Sequence, residues 1–233
     1  MGLKLIKEPV KELYKKKLGY RWRRFRKCIK KCQDPEKYQS IVNELCQLLS
    51  LEESGYLKIY YGDESGFSLD PCIPYGWQPK DQYIKIAPKK SQRLNVFGLF
   101  SKDNHLQAYS TTGTICADLV IAFLDDFSET ITQKTVVVLD NATIHHSDEF
   151  KDKIQEWEQK DLYIFFLPTY SPHLNLIETL WRMIKYRWLK AQDYLDFNTL
   201  TDAVENIITD IGKNLKINFG ENKYFTEYKL SII

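Results

Sequence analysis

The sequence predicts an α/β domain built on one mixed β-sheet with helices on both faces, preceded by a basic helical arm. Three observations lead there. The predicted elements of the body run β-β-β-α-β-α-β-α-α, meander strands first and βαβ units afterwards. The segment Thr135-Val136-Val137-Val138-Leu139 is apolar throughout, so neither side of that strand can face water. Finally, 233 residues with 43% hydrophobic and 14% aromatic content are enough for one substantial core.

Charge separates the arm from the body. Residues 1–37 hold 14 Lys/Arg against 4 Asp/Glu, whereas the remainder holds 19 against 27, so a net charge of +2 conceals a basic amino-terminal segment on an acidic-leaning body. Glu8 to Leu18 predicts a short helix with Val10, Leu13, Tyr14 and Leu18 inward, ended by Gly19. Next, Arg21, Arg23, Arg24, Arg26 and Lys27 are interleaved with Tyr20, Trp22 and Phe25, a composition suited to phosphates and to base stacking. A solvated helix whose aromatics anchor it to the body is an equally good reading. Asp34-Pro35-Glu36 opens a further helix to about Ser50, with Ile41, Leu45, Leu48 and Leu49 as its stripe. The expected divisions are an arm over 1–55, a catalytic body over 56–215 and a tail over 216–233.

In the body, Leu57 to Asp63 reads as a strand, and Gly66 to Trp77 as an edge strand or irregular hairpin. Gln92 to Ser101 and His105 to Thr111 form a hairpin across Lys102-Asp103-Asn104. Thr114 to Phe127 is a helix, Lys134 to Asp140 a strand, Ser147 to Lys160 a helix and Leu162 to Leu167 a buried strand. The following helix begins near Leu174, with Ser171 placed to cap it and Pro172 at its first position. At 100° per residue Leu176, Ile177, Leu180, Trp181, Met183, Ile184 and Trp188 share one arc, and Asn175, Glu178, Thr179, Arg182, Lys185 and Tyr186 the opposite one. A last helix spans about Asn198 to Lys213.

No apolar run approaches the ~18 residues of a membrane span, and the first residues lack the apolar segment of a signal peptide, which predicts a cytoplasmic protein. The five cysteines follow no metal-ligand spacing and are expected to be reduced thiols.

Three acidic residues stand at structural edges. Asp63 is expected to close the first strand, Asp140 closes the apolar strand, and Glu178 lies on the helix after the last strand. Ligands in such sheets gather outside the strands' carboxyl ends. Carboxylates crowded there repel one another unless a cation joins them, and an all-oxygen donor set suits Mg²⁺ or Mn²⁺. Each residue also has a plainer role: Asp63 and Asp140 as turn caps, Glu178 as the partner of Arg182 at i,i+4.

Tyr61-Gly62-Asp63-Glu64-Ser65-Gly66-Phe67, Tyr75-Gly76-Trp77, Val138-Leu139-Asp140-Asn141-Ala142-Thr143-Ile144-His145 and Leu167-Pro168-Thr169-Tyr170-Ser171-Pro172-His173-Leu174-Asn175-Leu176-Ile177-Glu178 with Trp181 together resemble the DDE transposases of bacterial insertion sequences in the mariner superfamily. The resemblance runs in order from Gly19 to about Lys213. It implies a ribonuclease H-like fold, with Asp63, Asp140 and Glu178 holding two Mg²⁺ ions, Mn²⁺ being a possible substitute, for DNA strand cleavage and joining. Glu64, Asn141, His145 and Arg182 become candidates for supporting or DNA contacts. The implied partners are double-stranded DNA, both transposon ends and target, and a second copy of the chain on that DNA; the implied location is the nucleoid. Leu176 stands where many relatives have proline, and Asp81 follows Lys80 where many have glycine. Relatives usually begin with a helix-turn-helix region of which Glu8 to Leu18 resembles only the last helix, so poor selectivity for the element's own ends is expected. Two other readings remain: a catalytically silent DNA-binding or regulatory fragment, and another ribonuclease H-like nuclease.

Replacing Arg21, Arg23, Arg24 and Arg26 together by alanine is expected to weaken binding to any duplex and to flatten its salt dependence by up to ~0.9 log unit for every phosphate that is no longer neutralised. Titrations at several salt concentrations read this directly, and an unchanged slope would assign the segment to packing.

Overall fold

The computed structural model describes residues 34–70, 92–141 and 148–219. The chain divides into residues 1–32 and 33–233, and the description concerns the second unit. The arm helix Glu8 to Leu18, the cationic run Arg21 to Lys27, most of the Gly66 to Trp77 segment and His145 lie outside the described residues.

Five strands form one sheet: β1 (Lys58–Phe67), β2 (Leu94–Phe100), β3 (Leu106–Thr111), β4 (Thr135–Leu139) and β5 (Leu162–Phe166). Their spatial order is β3-β2-β1-β4-β5. β1–β2 and β2–β3 pair antiparallel, while β1–β4 and β4–β5 pair parallel, as expected of a meander followed by βαβ units. The helices are α1 (Pro35–Glu53), α2 (Ala117–Ser128), α3 (Asp148–Glu158), α4 (Ile177–Met183) and α5 (Phe197–Asp210).

Strand alternation sorts the core into two layers. Ile59 and Tyr61 of β1, Val96 and Phe100 of β2, and Val136 and Val138 of β4 pack with Val42 and Leu45 of α1, Ile177, Leu180 and Trp181 of α4, and Leu200 and Val204 of α5. On the other face Tyr60, Phe97, Leu99, Val137 and Leu139 meet Val120, Leu124 and Phe127 of α2 and Phe150 and Trp157 of α3. β4 is buried at all five positions, as its composition required. β5 differs from the expectation of a buried strand: only Leu162 is buried, because β5 lies at the sheet edge.

Other departures have local causes. β1 continues to Phe67, four residues past Asp63, because Asp63 to Phe67 keep antiparallel partners from Gly98 back to Leu94. Asp63 is therefore a mid-strand residue. Ser171 caps no α-helix: it precedes a 3₁₀ turn, Pro172–Leu174, and makes no capping hydrogen bond with its side chain. α4 begins only at Ile177 and continues as a π turn, Ile184–Trp188. The 3₁₀ turn also carries Asn175 off the helical arc assigned to it, and its side chain is buried. In α1 the buried positions are Val42, Leu45 and Glu52, with Leu48 and Leu49 partly buried. α1 belongs to the same compact unit, residues 33–233, as the sheet.

Gly62 shows how tight the centre is. A Cβ there would stand 2.5 Å from Leu139 Cδ2 and 3.0 Å from Leu99 Cδ2. Gly62→Ala is expected to destabilise the protein by about 1–3 kcal/mol through overpacking, read as a lower denaturant midpoint with unchanged slope. An unchanged midpoint would mean that both leucines repack freely.

Candidate active site

The three motif carboxylates come from three elements. Asp63 lies in β1 opposite Gly98 of β2. Its alternation places it on the face of Ile59 and Tyr61, the face covered by α4. The β1–β4 ladder ends at Tyr61 opposite Val138, and two residues further along each chain stand Asp63 and Asp140. Parallel neighbours are ~4.8 Å apart, so this register brings the two aspartates to one place just beyond the end of β4. Glu178 is on the first turn of α4, on its exposed side, while Ile177, Leu180 and Trp181 are buried beneath it.

Their electrostatics show mutual proximity. Asp63 is pushed up to about 7, first by burial, then by the charge of Glu178, with Asp140 adding to the rise; the Glu64 backbone N–H and the Trp181 indole oppose it. Glu178 is also raised, by burial first, with the nearby Lys185 and Arg182 charges pulling down and Asp140 pushing up. Asp63 thus feels both other acids, and Glu178 feels Asp140. The donor set is entirely oxygen, partly desolvated and mutually repulsive, which is the chemistry that fits a hard divalent cation. Among the described residues no group of three or more His, Cys, Asp or Glu side chains is already drawn together closely enough to hold a metal ion.

The remaining candidates separate. Glu64 is exposed, and alternation turns its side chain to the sheet face opposite Asp63; its contribution near the site is its backbone N–H. Asn141 is exposed and directly follows Asp140. Arg182 donates through Nη2 to Thr179 Oγ1 at 3.1 Å and presents its charge to Glu178. Lys185, not singled out from the sequence, sits with Nζ 5.3 Å from the centre of the Phe67 ring and acts more strongly on Glu178 than Arg182 does. Asn175 was also missed: its Nδ2 donates to the Gly62 carbonyl at 3.0 Å, beside Asp63. Its position in the Asn175-Leu176-Ile177-Glu178 motif was the available signal.

A mixed sheet in this order, sandwiched by helices, with an acid within its central strand β1 and another just past the end of β4, is the ribonuclease H-like fold. Residues 58–201 match the family described as DDE superfamily endonuclease, and the chain belongs to that family. It is 25% identical over 173 residues to the "Insertion element IS630 uncharacterized 39 kDa protein" of Shigella sonnei, an alignment covering 71% of this chain and 48% of the relative. Among solved structures it is similar to the "Mos1 transposase paired-end complex with left transposon end", with TM-score 0.60, 13% identity, and 86% of this chain and 62% of that one covered. The "mariner Mos1 paired end complex with Mg" matches with TM-score 0.59, 13% identity and the same coverage. The chain spans about half the length of the curated relative it matches. Membership of the DDE endonuclease family and the ribonuclease H-like fold, both implied by the sequence resemblance, are borne out. Among the described residues no helix is long and apolar enough to cross a membrane.

The Asp63 shift carries a testable sign. Its carboxyl ionises near 3.8 when unfolded and near 7 when folded, so the native state holds the extra proton between these values and stability falls as pH rises through that window. Asp63→Asn is expected to stabilise the cation-free protein at pH 8, by at most about 4 kcal/mol, with the advantage vanishing below pH 4. Thermal unfolding across pH reads this. A variant no more stable than wild type at pH 8 would contradict the burial and repulsion assigned to Asp63.

Proposed function

We propose that this chain contains the catalytic domain of an insertion-element transposase, cleaving DNA strands at the element's ends and joining them to target DNA with Mg²⁺ as cofactor. What supports this reading is the β1–β4 register, which sets Asp63 and Asp140 side by side past the end of β4, together with the charge of Glu178 acting on Asp63. Family membership and the likeness to transposase complexes support it.

In this reading Asp63, Asp140 and Glu178 are the cation's ligands, and Mn²⁺ is expected to substitute. Bound divalent ions supply activation of a water or a DNA 3′-hydroxyl and stabilisation of the leaving oxygen. The chain's own groups hold and orient. Asp63 is fixed by the sheet register, Asp140 by the end of β4, and Glu178 by the packing of α4. Lys185 and Arg182 keep positive charge beside Glu178, where a DNA phosphate has to approach. No side chain has to act as nucleophile, because water and the DNA hydroxyl fill that role.

The expected partners are transposon ends and target DNA, bound by two copies of the chain. The cationic run Arg21, Arg23, Arg24, Arg26 and Lys27 is assigned to phosphate contacts, and Glu64, Asn141 and His145 to supporting or DNA contacts. Mg²⁺ dependence, the two-copy assembly and nucleoid location belong to this proposal.

Asp140→Asn is expected to reduce Mg²⁺-dependent nicking and joining to background while the circular dichroism spectrum stays native. Glu178→Asp should retain more activity than Glu178→Ala, because a shorter carboxylate still reaches a cation after small adjustment. Near wild-type cleavage by Asp140→Asn would defeat the metal-site reading.

A further inference from the structure

Two buried side-chain atoms among the described residues lack any hydrogen bond: Asn175 Oδ1 and Trp181 Nε1. Their residues are only 4% and 2% exposed. Unmatched polar atoms at such depth cost free energy and call for a reason. Both flank Asp63 by position: Asn175 bonds the carbonyl of the residue before it, and Trp181 packs over the residue opposite it in β2.

Asn175 Nδ2 donates to the Gly62 carbonyl at 3.0 Å. A carbonyl oxygen can only accept, so the amide nitrogen must face it. Oδ1 is therefore the free branch of an amide anchored one residue from Asp63. Trp181 reaches the same place from above the sheet. Its Cη2 stands 3.2 Å from where a Cβ on Gly98 would be, and Gly98 is the cross-strand partner of Asp63. The indole thus occupies the space left by the missing side chain, on the face carrying the Asp63 carboxylate. Its Nε1–H favours the ionised carboxylate without making a full hydrogen bond. The two open valences are complementary: the indole can only donate, as a carboxylate requires, and the amide oxygen can only accept, as a hydrated cation requires.

We propose that Asn175 and Trp181 are positioning residues that bracket Asp63. Trp181 Nε1 holds one carboxylate oxygen and thereby turns the other toward the cation. Asn175 fixes the Gly62–Asp63 peptide and offers Oδ1 to a water of the hydrated divalent ion. This inference rests on the metal-dependent reading of the site. It extends that reading because neither side chain is a ligand, yet both set how a ligand is presented. Supporting groups of this kind typically change metal affinity 10–100-fold when removed.

The test uses the full chain without DNA. In ¹H–¹⁵N spectra the Trp181 indole signal is identified by its loss in Trp181→Phe. It is expected to move in Asp63→Asn and on addition of Mg²⁺, while the indole of Trp188, on the π turn beyond α4, moves in neither. Calorimetric titration with Mn²⁺ is expected to show about tenfold weaker binding in both Trp181→Phe and Asn175→Leu. Asn175→Ser, shorter but polar, replaces the leucine variant if that one does not fold. A Trp181 indole signal unmoved by Asp63→Asn overturns the bracket. Wild-type Mn²⁺ affinity in the Trp181 and Asn175 variants reduces both residues to core packing. If the wild-type chain binds no Mn²⁺, the metal reading fails and the acceptor role of Asn175 with it, while the response of the indole to Asp63→Asn still decides the Trp181 contact.

Discussion

The acidic site depends on an overhang. β1 runs ten residues and its parallel neighbour β4 only five, so beyond Tyr61 one side of β1 has no strand to pair with. A strand extended past its partner must find other acceptors and donors for its backbone. β2 supplies them on one side through Leu94. On the other, the Asn175 side chain bonds the Gly62 carbonyl where β4 has stopped. This substitution lets Asp63 keep strand geometry while Asp140 leaves it. Two neighbouring strands, one continuing and one ending, can thereby deliver aspartates to a single spot.

Placing three acids there works against folding. The raised Asp63 and Glu178 show that burial and like charge both disfavour the ionised state. The surrounding structure offsets this only partly, through the Glu64 N–H and the nearby indole at Asp63 and through Lys185 and Arg182 at Glu178. That repulsion is relieved either by a proton on Asp63 or by a positive charge brought beside the acids.

Much of this arrangement was legible in the sequence. Val136 to Val138 announced a two-sided buried strand, and the arc of Ile177, Leu180, Trp181 and Ile184 is the face α4 buries. The sequence set Asp63, Asp140 and Glu178 at structural edges, and only Asp63 proves to lie within its strand instead. Three features were hidden for physical reasons. The extension of β1 through Glu64-Ser65-Gly66 resembles a turn locally and exists because β2, some thirty residues later, pairs with it. Asn175 looks solvent-facing on an ideal helix, but a 3₁₀ turn precedes α4 and reorients it. The half-burial of β5 follows from its place at the sheet edge, which an apolar run cannot report.

Glu52, near the end of α1, is a buried carboxylate that accepts from the Ile59 backbone N–H at 3.1 Å and pairs with Lys102 Nζ at 3.1 Å. It fastens the start of β1 to the turn of the β2–β3 hairpin from a helix that the expected division over 1–55 placed in the arm. A recombinant fragment begun at residue 56 would therefore delete a latch of the sheet itself, together with the cover that Val42 and Leu45 give to Ile59 and Tyr61. Where to cut the chain for isolated study is decided by this one acid, and the cut belongs upstream of α1.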